Sequence, residues 1–133
     1  MLVVPGGGPF ADAVRAVDAE VGLGDPVAHV LALRAMDQLG VLLLPMLPGA
    51  EVLDRLVAPR ALALLLAAPA FEGHREIPAS WDVTSDSLAV LAAGAIGASE
   101  VVLLKPVEGG GVDAYMPEAV RRTGVSVTIR TPR

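Results

Sequence analysis

Glycine and proline interrupt this chain so often that only short elements are expected, and their spacing limits the fold more than any other feature. Among 133 residues there are 14 glycines and 11 prolines. Between them lie short apolar runs of strand length: Leu2 to Val4 before Pro5-Gly6-Gly7-Gly8, Ala61 to Ala67 between Pro59 and Pro69, Val101 to Leu104 before Lys105-Pro106, and Val125 to Ile129. Segments of helical spacing separate them. Phe10, Ala13, Val14, Val17 and Val21 recur at helical intervals up to a stop near Gly22. Asp25-Pro26 opens a second helix reaching Gln38 and ending at Gly40, and Thr84-Ser85-Asp86-Ser87 caps a third running to about Ala98. Pro117 to Thr123 reads as a further turn or two. Val41 to Leu44 reads as strand or loop, Glu51 to Val57 as a short helix, and Pro69 to Ser80 as a polar loop. Alternating strands and helices predict an α/β fold, a three-layer α/β/α arrangement on a mostly parallel sheet whose ligands gather where strands end.

Composition narrows the function. A formal charge of -5 and a pI near 4.8 argue against a partner rich in phosphate such as nucleic acid. With no cysteine, disulfides and cysteine-held zinc are excluded. Glycine and proline are expected to break every apolar run short of the roughly 20 residues a membrane span needs, so no membrane helix is read. Met1-Leu2-Val3-Val4-Pro5 lacks a basic leader and reads as a strand rather than a signal peptide. The expectation is one compact domain over 1–133, placed in the cytoplasm.

Three segments carry chemistry. Gly6-Gly7-Gly8, between strand and helix, is either a tight turn or a place where bare backbone N–H groups approach an anion. Trp81 to Ser87 packs Asp82 and Asp86 with the hydroxyls of Thr84, Ser85 and Ser87 around one helix start, more than a cap requires, so it is either a ligand site or a capping run with a solvated Asp82. Those carboxylates suit lysines or magnesium, and the hydroxyls and helix N–H groups suit phosphate. Lys105, the only lysine, stands at a strand end, where it is either a phosphate contact or a surface charge. Arg15 reads as a solvated charge or a ligand clamp, His29 as a histidine turned toward Ala32, Leu33 and Met36, and Trp81 as a lid over the core. No Ser-His-Asp order and no metal-binding histidine pair is present, so no resident metal is expected.

Taken together, these segments resemble the amino acid kinase superfamily, whose fold is carbamate kinase-like. Val3-Val4-Pro5-Gly6-Gly7-Gly8 is similar to its second glycine loop, and Val83-Thr84-Ser85-Asp86-Ser87-Leu88-Ala89 to its central aspartate motif. Ala98 to Lys105 is similar to the strand entering its nucleotide site. Within that group the chain most resembles the (aminomethyl)furanylmethyl phosphate kinases, on Pro-Phe-Ala-Asp from Pro9, the Ala28-His29 helix with Met36-Asp37, the Trp81 to Ser87 stretch, and Val112-Asp113-Ala114-Tyr115-Met116-Pro117.

The resemblance implies roles. Gly6, Gly7 and Gly8 would cradle the acceptor or its phosphate, with Arg15, His29, Asp82 and Thr84 on the acceptor side. Asp86 would orient phosphate-binding lysines, and Lys105 and Ser87 would sit by the nucleotide. Kinases of this group open with a strand and a lysine-bearing glycine loop. The chain is read as starting after that point, with Pro106 to Gly111 as a shortened nucleotide loop. The implied function is binding of a small phosphorylated or aminomethyl-furan-type metabolite in one-carbon carrier synthesis, as in methylotrophy, with weak or no turnover. The alternative is an active phosphotransferase using ATP and magnesium, completed where necessary by another chain. A homodimer or a pathway partner protein is expected. Underlying all of this is the expectation that the triglycine bend and the acidic helix start share one crevice.

Overall fold

The computed structural model describes residues 1–132 and has an α/β fold in which every strand pair is parallel. The strands fall into two sheets, and the chain divides into two compact units, Met1–Trp81 and the residues from Asp82 onward.

The first unit holds β1 (Leu2–Val3), α1 (Gly8–Val21), α2 (Asp25–Leu43), β2 (Glu51–Leu53), β3 (Ala63–Leu65) and α3 (Ala67–Phe71). Its sheet runs β1-β3-β2, with Leu2 opposite Ala63 and Val52 opposite Leu64. Ala63, Leu64 and Leu65 are fully buried, as a central parallel strand requires. The segment expected to be a helix at Glu51 to Val57 supplies β2 instead. Leu53, Leu56 and Val57 mimic helical spacing, but pairing with β3 satisfies the backbone of Glu51 to Leu53.

The cap of helix α2 stands one residue earlier than expected, with Gly24 as N-cap and Asp25 in the first turn. It passes through Gly40, which therefore does not stop it, and so absorbs Val41 to Leu43, expected as strand or loop. A Cβ at Gly40 would lie 3.1 Å from both Leu64 Cδ2 and Pro5 Cγ, so glycine here permits close approach of helix to sheet. With the following 3₁₀ turn, Asp25–Met46 forms 22 continuous residues that contain an 18-residue window of mean hydropathy 1.5. By length and composition alone that stretch is able to cross a membrane, contrary to the expectation from punctuation. Ala28, Leu33, Ala35, Met36 and Gly40 form its buried face, while Val27, Leu31, Val41 and Leu42 are exposed.

On α1, which ends at the left-handed Gly22, burial centres on Ala11 with Val14 and Asp18 half-buried. Val17 and Val21, expected inside, are 46% and 63% exposed. Pro69, expected to open a loop, lies within the short α3.

The second unit holds α4 (Ser85–Ile96), β4 (Glu100–Leu104), α5 (Met116–Thr123) and β5 (Ser126–Arg130). All four match segments legible in the sequence. Val90, Ala93, Ala119 and Val125 form its core, with Val101 and Val127 of the sheet packed against them. Strand β4 alternates accordingly: Leu103 is buried, while Val102 and Leu104 point outward.

Candidate functional site

The second unit brings together two carboxylates, one ammonium and two hydroxyls at the start of α4. Thr84 is the N-cap, but its side chain does not cap the helix. The capping group is Asp113, from the segment between β4 and α5. Its Oδ2 accepts Thr84 N at 2.8 Å, Thr84 Oγ1 at 2.9 Å and Ser87 N at 3.0 Å, and its Oδ1 accepts the hydroxyl of the fully buried Ser87. A negative side chain at the positive end of a helix is favourable, and here it also satisfies backbone N–H groups that the helix leaves open.

Asp86, in the first turn of α4, is engaged by other donors. Lys105 Nζ donates to its Oδ1 at 2.8 Å and Oδ2 at 2.7 Å, and the Asp113 backbone N–H donates to Oδ2 at 3.2 Å. The Lys105 and Asp86 side chains are only 18% and 9% exposed. Strand β4 ends at Leu104, which fixes the Lys105 backbone, and Lys105 N donates to Arg130 O to hold it there. The segment from Lys105 to Asp113 is thus pinned to one helix start at both ends.

This arrangement corrects one expectation and supplies a partner for Asp86. The hydroxyls and N–H groups of Thr84 and Ser87 face Asp113, not an open anion position. Asp86 has a lysine partner within the chain, Lys105. Ser87 and Thr84 join the cluster through Asp113, and the Asp82 carbonyl accepts Tyr115 N at 2.9 Å beside it. Asp113 itself received no role from the sequence. Its only signal there was an acidic residue shortly before a helix start, with nothing local to show which helix it serves.

The remaining candidates lie in the first unit. Gly6, Gly7 and Gly8 join β1 to α1. A Cβ on Gly7 would stand 2.3 Å from Ala11 Cβ, so packing alone demands glycine there. The Arg15 guanidinium lies 4.8 Å from the centre of the Trp81 ring and pairs with Asp12 at 3.1 Å. Trp81 Nε1 donates to Asp18 Oδ2 at 2.9 Å. Trp81 is therefore tied to the polar face of α1 rather than lying as a lid on the core, and Arg15 is engaged as a cation over an aromatic face. His29 is half-buried on α2, and burial lowers its imidazole below the ordinary value.

A second carboxylate in this unit repeats the remote-cap device. Asp37 of α2 accepts the N–H groups of Ala67 and Ala68 at the start of α3. Burial pushes its carboxyl above the ordinary value against the pull of those two N–H groups. Asp37 also lines a cleft of about 420 Å³ with Phe10, Gln38, Val41 and Leu66.

No protein-family model matches the chain. It is 28% identical over 120 residues to a protein of Methanocaldococcus jannaschii named (5-(aminomethyl)furan-3-yl)methyl phosphate kinase, an alignment covering 82% of this chain and 53% of the relative. The chain thus spans about half the length of the curated relative it matches. At this distance the likeness shows a kinase-like relationship.

Proposed function

We propose that the chain is a kinase-like protein that binds a small phosphorylated or aminomethyl-furan-type metabolite and turns it over weakly or not at all. Its place is the cytoplasmic synthesis of a methanofuran-like one-carbon carrier. The observation that carries this reading is the closed Asp86–Lys105 pair. Phosphoryl transfer rests on positioning and on positive charge at the transferred group. Here the chain's only lysine is held by both oxygens of one carboxylate, with a second carboxylate, Asp113, at the same helix start. A phosphate contact that shares Lys105 with Asp86 is compatible with that balance. Strong neutralisation of a transferring phosphoryl group is not.

The same residues bear on magnesium. Asp86 is engaged by Lys105, Asp113 by α4, and no group of three or more His, Cys, Asp or Glu side chains suited to a metal occurs among the described residues. They do not fit a protein-held magnesium site, and no step is routed through one.

A second reading, an active ATP-dependent phosphotransferase, is supported by the relative's name and by the meeting of Asp86 with Lys105, the pair the resemblance assigns to catalysis. A homodimer or partner protein belongs to either reading. Parallel sheets are ordinarily covered on both faces, and Val102 and Leu104 leave one face of β4 apolar and exposed. Calorimetric titration with (5-(aminomethyl)furan-3-yl)methyl phosphate, and separately with ATP and magnesium, tests the proposal. Binding of the first with little or no phosphoryl transfer supports it; brisk transfer favours the second reading; no binding of either ends both.

A further inference from the structure

Helix α2 turns a second apolar face outward. Its buried face centres on Leu33, Met36 and Gly40, yet Val27, Leu31, Val41, Leu42 and, in the following 3₁₀ turn, Met46 are between 36% and 74% exposed. At about 100° of rotation per residue, Val27, Leu31, Arg34, Gln38, Val41 and Leu42 fall along one side of the helix. At those exposures the five apolar side chains leave on the order of 500 Å² open, toward the upper end of the largest patch a monomer ordinarily carries. A stable pair of proteins needs about 800 Å² from each partner. Arg34, Gln38 and Pro45, exposed on the same side, supply most of the remainder.

The order of residues along this face is nearly palindromic. Counted outward from Met36, Arg34 mirrors Gln38, Leu31 mirrors Val41 and Leu42, and Val27 mirrors Pro45 and Met46. Two antiparallel copies of α2, related by a twofold axis near Met36, therefore set apolar against apolar at both ends and Arg34 against Gln38 in the middle. No like charges meet. Among the described residues Arg34 brings the one charge to this face, and Glu72 of the same copy balances it at 3.3 Å. An unrelated partner protein would impose no such symmetry on the sequence. A lipid surface is disfavoured by the formal charge of -5 and by the single cation on this face, because interfacial helices approach membranes through several lysines and arginines. The outer side of β4 offers less apolar area, since Val102 and Leu104 share it with Glu100 and stand beside Thr128 and Arg130 of β5.

We infer that the chain pairs with a second copy of itself through α2, antiparallel and twofold, with Leu31 against Leu42 of the partner subunit and Arg34 against the partner's Gln38. That a dimer exists belongs to the function proposed above; its surface and register are read from α2 itself. Helix axes packed about 8–10 Å apart bring Leu31 and Leu42 of the partner subunit into side-chain contact. The Gln38 amide oxygen gives the guanidinium a second acceptor beside its own Glu72.

The test is sedimentation equilibrium of the full chain, in which the parent should show twice its 13.6 kDa. Leu42→Glu, at an exposed position, should keep the far-ultraviolet spectrum of the parent and weaken pairing by at least about thirtyfold, the scale of one central interface residue. Val102→Glu, on the outer side of β4, should leave pairing as it is in the parent. The chain has no cysteine, so introduced ones report alone. Oxidation of a mixture of Leu31→Cys and Leu42→Cys should give a disulfide-linked dimer in higher yield than either variant by itself, and this arm serves if Leu42→Glu does not fold. A monomeric parent, whether free or adsorbed on vesicles of phosphatidylcholine and phosphatidylglycerol, would overturn the inference. So would pairing that survives Leu42→Glu, pairing lost with Val102→Glu, or equal cross-linking in the mixture and in the single variants. Pairing through α2 in a chain that binds no furan phosphate would leave the inference standing and remove only the proposed ligand. Ligand binding by a monomeric chain would do the reverse.

Discussion

Asp113 Oδ2 accepts the backbone N–H of Ser87 at 3.0 Å across 26 positions of sequence. The helix that looks self-capped by Thr84 and Ser85 is in fact capped by a residue from the far side of a strand. That single contact ties the glycine-rich segment after β4 to the helix bearing Asp86, so stability of α4 and placement of Lys105 are coupled.

Asp113→Ala should therefore cost more than an ordinary cap. Loss of a capping side chain costs about 0.5–2 kcal/mol, and the buried Ser87 hydroxyl would also lose its partner, adding on the order of 1 kcal/mol or more. Asp113→Asn, which keeps one accepting oxygen, should fall between Ala and the parent. Urea unfolding midpoints in that order check the assignment.

Removing one member of the buried pair should be costly, and removing the second should add less than it costs alone. Asp86→Asn or Lys105→Met alone leaves a charge with little solvent and should cost about 3 kcal/mol or more. Asp86→Asn with Lys105→Met should cost less than the sum of the single replacements, by at least about 1 kcal/mol. A double-mutant cycle from chemical unfolding supplies the number, and additivity would show that the two side chains do not interact in solution.

Gly94 sits where α4 meets α5. A Cβ there would stand 2.5 Å from Thr123 Cγ2 and 2.8 Å from Thr123 Cβ, and Thr123 is held by its hydroxyl bond to Ala119 O at 2.8 Å. Alanine gains roughly 1 kcal/mol of helix propensity over glycine, but overpacking of this kind costs about 1–3 kcal/mol. Gly94→Ala should accordingly lower the thermal midpoint in spite of its better propensity.

Two half-buried groups give stability opposite pH dependences. His29, with its imidazole lowered by burial, contributes stability that is full above its ordinary value of 6.5 and is lost as pH falls below it. Asp37, with its carboxyl raised by burial, contributes stability that is full below its ordinary value of 3.8 and is lost as pH rises through its elevated folded value. His29→Gln should flatten the acid-side decline beginning near 6.5, and Asp37→Asn should remove the loss that sets in above 3.8. Unfolding free energies across that range, measured for the two variants, separate the contributions.

Much of this was legible in local sequence, and the failures share a cause. Gly22 stops α1, and Thr84 to Ser87 mark the start of α4, because those signals act within one turn of chain. Gly40 misleads because its reason is tertiary: it lets α2 approach Leu64. The spacing of Leu53, Leu56 and Val57 suggests a helix, but parallel pairing with β3 decides the conformation of β2. Lys105 and Asp86 were recognisable by residue type and position, and their pairing was not, since 19 residues separate them. Asp37 and Asp113 escaped for the same reason, as each caps a helix other than its neighbour in sequence.

The most direct test of the central claim is a calorimetric titration of (5-(aminomethyl)furan-3-yl)methyl phosphate into the parent chain and into Lys105→Met, with phosphoryl transfer from ATP followed in parallel. The account predicts saturable binding to the parent, at least about tenfold weaker in the variant as befits loss of one charged contact, and turnover well below the roughly 1–100 s⁻¹ of ordinary kinases. Equal binding by a folded Lys105→Met variant, or no binding by the parent, would contradict it.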